Sequence, residues 1–509
     1  MSHSAKQLTP APSLKIRWAI FFTIALLALA IRLPQLGFRP MHTDESVNAF
    51  IIGQLLAGDS FRYDSQDRHG PALAAETVPL IRLEGAKTFA DLTEAQLRLA
   101  PALTGVATVL LFGAGVELFG FVACLIAALL FALAPLSVYY SRYFIHETLF
   151  VAATLGLVLS GRRALVRNSF RSAALAGFCA ALMLACKETA VIHFFALAVA
   201  LLAFRLGMPA GRPAKTENLQ KPPGRKIMVP PVKIILAATG TFLFIALLLF
   251  TWFGRNWSVF LDLLQAIPSF AGRAGGQGHA KPFWYYATLL GGGWSGTAIL
   301  GLAALGILRA LKSGRRLWFV VYAVLIAVVY SAIPYKTPWL ALNFWLPLAV
   351  LAGIGIEWLW FTTLKSSGRV LILAGLCGLG FLIAHDTRQR VFINPADEKN
   401  PYAYAHTGED LLRLPDRLAA LAQQNNISDP RIAVVAADAW PLPWYLRKFS
   451  QVGFWQPAQE TGDADFFITT TDVDAKLAER LKNFRPEFFG ARPEVLLLLW
   501  TLPPAANKP

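Results

Sequence analysis

Residues 41–73 read MHTDESVNAFIIGQLLAGDSFRYDSQDRHGPAL. Adjacent carboxylates, Asp44 and Glu45, lead the stretch, and Arg62, Tyr63, Asp64, Arg68 and His69 crowd its end ahead of Gly70-Pro71. A carboxylate can take the proton of an attacking hydroxyl or hold a divalent cation. A forked guanidinium beside an imidazole can hold an oxyanion. Three further clusters carry related chemistry. SRYFIHETLF supplies Arg142, His146 and Glu147; CKETAVIH supplies Lys187, Glu188 and His193; AIPYKTPWLALNFW sets Lys336 and Thr337 between two prolines, beside Tyr335 and Trp339. Together these residues could take a proton from a hydroxyl and contact a phosphate.

Each cluster also has a plainer reading. Thr43 can cap a helix whose first-turn acids, Asp44 and Glu45, only answer the positive end of its dipole, worth up to ~1 kcal/mol. Val47, Phe50, Ile51 and Leu55 would then share one face of a short interfacial helix. The stretch before Gly70-Pro71 reads equally as a solvated turn. Arg142 and His146 stand four apart, which on a helix projects both from one side. Lys187 and Glu188 read as functional groups or as a mutual ion pair, since ionisable groups at membrane depth are expensive. His193 is more simply a satisfied packing residue. Lys336 can snorkel, and Tyr335 and Trp339 can belong to an interfacial belt.

The elements that must position these residues are membrane helices. Of 509 residues, 55% are hydrophobic and only 15% charged, which lies outside the norm for soluble domains. Apolar runs suited to crossing ~30 Å of hydrocarbon recur along the chain. They predict about eleven transmembrane helices, near 14–33, 98–117, 120–140, 146–160, 172–187, 189–206, 233–253, 284–309, 316–333, 339–361 and 370–384.

A formal charge of +16 invites nucleic acid as a partner. The basic residues, however, sit in short loops between spans, and no patch interleaves them with stacking aromatics. GRRALVRNSFR, the 205–233 segment, RALKSGRR and KSSGR follow the positive-inside rule. That bias predicts a cell (inner) membrane protein with a cytoplasmic N-terminus and nearly every polar cluster on the outer face. No small-residue cleavage site follows the first apolar run, which predicts a retained helix. Cys124, Cys179, Cys186 and Cys377 all lie in apolar segments and show neither metal spacing nor a disulfide framework. An ion-coupled transporter fits poorly, because its ionisable groups belong near mid-membrane on broken helices.

The domain expectation is a membrane domain over 1–384, with a first outer loop at 34–97 and a cytoplasmic linker at 207–232, then an extracytoplasmic domain over 385–509. In that tail RIAVVAAD, ADFFITTT and EVLLLLW read as buried strands, and EDLLRLPDRLAALAQQ and DAKLAERLKNF as amphipathic helices. A small α/β domain follows. It carries no nucleotide fingerprint, P-loop or nucleophile elbow.

Taken in order, HTDESVNA, FRYDSQDRHGP, SRYFIHETLF, KETAVIH and YKTPWL resemble the GT-C superfamily of integral-membrane glycosyltransferases. The likeness is to the branch of protein O-mannosyltransferases and lipid A aminoarabinose transferases, closest to its flippase-activity-associated subgroup, and covers roughly 14–384. It implies a polyprenyl-phosphate-linked sugar as donor, transfer to an acceptor hydroxyl on the outer face, and inversion. It maps the essential acid to Asp44, with Glu45 beside it, and a second acid to Glu147. Phosphate contacts map to Arg142, Lys187 and Lys336; Arg68, His69, His146 and Glu188 complete the donor pocket expected from the residues themselves. No cofactor is implied beyond a divalent metal, which varies within the superfamily and would fall to Asp44 and Glu147. The acceptor, whether protein, lipid or glycan, stays open. The alternative is a non-enzymatic accessory of lipid-linked glycan flipping.

Overall fold

In the computed structural model the described residues are 12–64, 68–207, 231–259, 261–262, 268, 272, 279–313, 316–437, 439–456, 461–473 and 475–502. Most of the predicted 207–232 linker lies outside them. The chain divides into two compact units. One comprises Met1–Pro34, Ser60–Ala75 and Leu99–Ile393; the other comprises Gln35–Asp59, Glu76–Arg98 and Asn394–Pro509.

The helices in order are α1 (Leu14–Arg32), α2 (Thr43–Leu56), α3 (Ala72–Leu83), α4 (Glu94–Phe119), α5 (Phe121–Leu133), α6 (Pro135–Ser141), α7 (Glu147–Arg167), α8 (Phe170–Cys186), α9 (Ala190–Gly207), α10 (Val232–Phe250), α11 (Tyr285–Gly291), α12 (Gly293–Ser313), α13 (Leu317–Ala332), α14 (Leu342–Thr362) and α15 (Ser366–Thr387). Each of the eleven predicted segments meets a helix or a broken pair of helices. Seven helices among the described residues are long and apolar enough to cross a membrane, or eight if the bent pair α5–α6 counts as one span; α8, α9 and α13 are shorter. This is a multi-span membrane protein.

The bend between α5 and α6 is 58°, and its cause is local. Pro135 has no N–H to give to the carbonyl of Phe131, and the carbonyls that follow lose their helical donors too. In a membrane interior each orphan costs several kcal/mol, so other groups must meet them. Arg32, fully buried at the end of α1, donates Nη2 to Phe131 O at 2.6 Å and Nη1 to Ala132 O at 3.1 Å. Thr387 donates Oγ1 to Leu133 O at 2.6 Å, and Ser137 donates to Leu130 O at 3.2 Å. The break is therefore stapled from two other helices, and every carbonyl from Leu130 to Leu133 is met. Gly105 lets Arg32 pass: a Cβ there would lie 2.8 Å from Arg32 Nε.

The second unit holds a five-stranded sheet of β1 (Arg431–Val435), β2 (Gln451–Trp455), β3 (Phe466–Thr470), β4 (Arg485–Arg492) and β5 (Val495–Thr501), in the order β2-β1-β3-β5-β4. β1 pairs parallel with β2 and β3, and β5 pairs antiparallel with β3 and β4. A helix over Asp410–Gln424 buries Leu411, Leu414, Leu418 and Leu421, the 3.6-period stripe seen in the sequence. On the other face, Leu477 and Leu481 pack on Ala433, Val435 and Phe467. The three predicted strands are β1, β3 and β5. The other two carry weak signals: β2 is half exposed, and β4 contains Pro486 and Gly490.

Candidate active site

In the first unit three separated sequence clusters meet around Gly70. Its N–H bonds Cys186 O at 3.3 Å, and a Cβ on it would lie 2.2 Å from Ala185 O, so only glycine fits where this turn presses on the end of α8. His146 Nε2 faces Gly70 O at 3.1 Å and so carries the hydrogen. Burial first, then neighbouring His69 and Lys187, hold the His146 imidazole well below its ordinary pKa, which keeps it neutral. The ring of His69 packs edge-on against it with centroids 5.4 Å apart.

Lys187 and Glu188 close the α8–α9 connection but do not pair with each other. Lys187 Nζ donates to Glu147, the first residue of α7. Glu188 accepts from Tyr63 Oη at 2.7 Å and from His69 Nδ1 at 3.3 Å. Burial opposes ionisation of Glu188, yet the bonds from His69, from its own backbone N–H and from Tyr63 hold its carboxyl well below the ordinary range. His193 is a packing residue, its two nitrogens 2.9 and 3.2 Å from the hydroxyls of Tyr322 and Tyr330.

The helical pairing of Arg142 with His146 does not form. α6 stops at Ser141, and residues 142–146 are a turn that reverses into α7, so the two side chains part. Arg142 donates Nη1 to the carbonyls of Arg32 and Pro34 at 2.5 and 2.6 Å and stacks over Phe392 at 4.8 Å. It caps the end of α1 while Arg32 caps the end of α5. Lys336 is buried in its proline turn and donates Nζ to the carbonyls of Lys281 and Ile333 at 3.0 and 2.5 Å. Burial lowers its pKa from the ordinary lysine value. Trp339 stacks on Tyr143, with centroids 6.2 Å apart.

In the second unit Asp44 and Glu45 open α2, but His42, not Thr43, is the cap. Asp44 N–H donates to His42 Nδ1 at 3.1 Å, and His42 N–H donates to Glu45 Oε2 at 3.2 Å. Thr43 lies one position too late and takes the first helical turn; its Oγ1 accepts from Arg492 at 3.2 Å. The buried face also differs from expectation: Ser46, Ala49, Ile52 and Gly53 are inside with Ile51 and Leu55, while Phe50 is exposed.

Glu45 is fully buried. It accepts Arg98 Nε at 2.7 Å and Nη2 at 2.8 Å, and Arg39 Nη2 at 3.3 Å. Arg98 also donates Nη1 to Leu36 O and Arg39 O at 2.8 and 2.9 Å, and Nη2 to Pro40 O at 3.2 Å. Asp44 is the opposite case. Its carboxylate is half-buried and has no hydrogen-bond or ion-pair partner among the described residues.

Sequence reasoning passed over Arg98, Arg39 and Arg32. The available signal was an arginine inside an apolar helical run, which needs a buried partner. No group of three or more His, Cys, Asp or Glu among the described residues could hold a metal ion. Glu147, one of the two residues reserved for a metal, is spent on Lys187.

A family model described as dolichyl-phosphate-mannose-protein mannosyltransferase matches residues 80–210. That stretch includes Arg98, Arg142, His146, Glu147, Lys187 and Glu188. No curated protein sequence matches the chain. Among solved structures, ArnT from Cupriavidus metallidurans bound to undecaprenyl phosphate superposes with a TM-score of 0.62 at 15% identity, over 96% of this chain and 99% of that one. The fold is that of the GT-C membrane glycosyltransferases. A second GT-C structure, the archaeal oligosaccharyltransferase AglB from Archaeoglobus fulgidus with an inhibitory peptide and a dolichol-phosphate, aligns over 97% of this chain and 75% of that one, at 12% identity and a TM-score of 0.53. The GT-C likeness thus runs through the C-terminal tail, beyond the 14–384 range resembled in sequence.

Proposed function

We propose that this protein is a glycosyltransferase that moves a sugar from a polyprenyl-phosphate donor to an acceptor hydroxyl on the outer face of a cell membrane, inverting the anomeric centre. The observation that carries the reading is the contrast within the first turn of α2. Glu45 is locked by Arg98 and Arg39, while Asp44 beside it is left without a partner among the described residues. A half-buried carboxylate held by a capped helix start is poised to take a proton. In this scheme Asp44 is the general base or the ligand of a divalent cation. Glu45 fixes the turn that carries it. Separately, within the first unit, Lys336 and His69 are the groups proposed for a donor phosphate.

A lipid-borne phosphate donor needs no soluble nucleotide, consistent with a sequence lacking a Gly-rich phosphate loop. The basic residues of the loops between spans support a cytoplasmic N-terminus. The test is Asp44→Asn: membrane insertion is retained and sugar transfer is lost. Transfer at the wild-type rate removes Asp44 from the mechanism. In a deletion strain the transferase reading expects outer-leaflet donor to accumulate beside unmodified acceptor. Accumulation on the inner leaflet points instead to an accessory of lipid flipping.

A further inference from the structure

His69 is bonded through one nitrogen. Nδ1 gives its hydrogen to Glu188, which Tyr63 secures from the other side, and Nε2 has no partner among the described residues. The side chain is 34% exposed. A carboxylate behind one imidazole nitrogen fixes the ring and its tautomer and leaves the other nitrogen for proton transfer. Its neighbours cannot take that part. Lys187 is paired with Glu147, and His146 is neutral with Nε2 committed to Gly70 O. Arg68 and Asp64, on the same segment as His69, have contacts of their own.

We propose that His69 is the general acid of the transfer, giving its Nε2 proton to the phosphate oxygen that leaves the sugar, with Glu188 and Tyr63 as positioning residues. The proposal rests on the transferase reading above. The acceptor O–H bond breaks and its oxygen bonds the anomeric carbon, while the proton passes to the general base. The anomeric C–O bond to phosphate breaks with its electron pair on the phosphate oxygen, and that oxygen bonds the proton from His69. His69 ends neutral, still bonded to Glu188 through Nδ1, and both groups reset by exchange with water.

The test uses the full-length protein in detergent, a synthetic polyprenyl-phosphate hexose for transfer and decaprenyl phosphate for binding, each across pH. Wild-type transfer falls on an alkaline limb. His69→Gln lowers the rate about 10²-fold or more and removes the limb; His69→Lys keeps phosphate binding and shifts the limb far alkaline. Glu188→Gln moves the limb toward lower pH, which a purely structural loss would not do. An alkaline limb that survives in His69→Gln overturns the proposal. So does decaprenyl phosphate binding that depends neither on pH nor on His69, whatever transfer shows. Absence of transfer with pH- and His69-dependent binding refutes the transferase reading and leaves His69 as the group that carries a proton to the phosphate.

Discussion

Replacing Arg98 with methionine removes the buried cation at nearly constant volume and exposes how α2 is held. Six contacts go: two to the Glu45 carboxylate, three to the carbonyls of Leu36, Arg39 and Pro40, and one to Met41 Sδ at 3.5 Å. Glu45 keeps Arg39 Nη2 at 3.3 Å and the His42 amide at 3.2 Å, but its charge stays at a fully buried position. Breaking a buried pair from one side costs ~3–5 kcal/mol, because the surviving ion is not rehydrated. The orphaned carbonyls add to that at ~1–3 kcal/mol each where water cannot reach them. Against a total stability of about 5–15 kcal/mol, the change should unfold the 35–59 segment or the whole second unit. Thermal melting in detergent and limited proteolysis across 35–59 read it directly. The double variant Arg98→Met/Glu45→Gln should recover part of the loss, with a coupling of about 1–3 kcal/mol, since no carboxylate is then left without its bidentate partner, although Arg39 gives up its own bond to Glu45. A single variant that melts like the wild type, or a double variant whose losses simply add, would show that Glu45 is not held by this pair.

Acid should loosen the cap at His42. Burial lowers its pKa, and it lowers that of His406, whose ring lies 5.6 Å away, well below the ordinary value. Both are neutral in the fold and take up protons on unfolding, so stability present above the unfolded value of about 6.5 is lost as pH falls, by up to ~1.4 kcal/mol per pH unit for each group. Melting between neutral pH and pH 5 measures it. His42→Asn keeps a capping acceptor and should flatten the slope; an unchanged slope excludes His42 as its source. Gly70→Ala pushes a methyl into Ala185 O and should cost ~1–3 kcal/mol through overpacking. It should also displace His69 and reduce transfer in protein that still inserts, and wild-type transfer would contradict this seat for the turn.

What the sequence showed and what it hid divide along physical lines. Apolar length and 3.6-residue periodicity announced the membrane helices and the Asp410–Gln424 helix, because both follow from burial alone. The α5–α6 break stayed hidden inside one apolar run at 120–140: Pro135 announces a kink, but the staple from Arg32 and Thr387 spans about a hundred residues or more and leaves no local pattern. The same holds for the site. Types and rough placement of Asp44, His69, Glu147, Lys187 and Glu188 were legible, whereas their partners were not. Lys187 and Glu188 are neighbours in sequence, yet each reaches a different element. The i, i+4 spacing of Arg142 and His146 misled because it presumes a helix where the chain turns.

Partnership, more than residue type, also orders the basic groups by what a phosphate could gain from them. Arg142 already closes the end of α1 through two carbonyls, and Lys187 already carries a carboxylate. Recruiting either to an anion would strand Arg32 O and Pro34 O in one case and the buried charge of Glu147 in the other, at a cost comparable to the gain. Lys336 differs, since it bonds two neutral carbonyls and forms no salt bridge among the described residues. Its ammonium is desolvated by burial and stands to gain most from an arriving negative charge. His69 gains by the same logic, because its unpartnered nitrogen faces no competing acceptor among the described residues. The phosphate reading therefore rests on Lys336 and His69, with Arg142 and Lys187 as the framework that holds their helices in place.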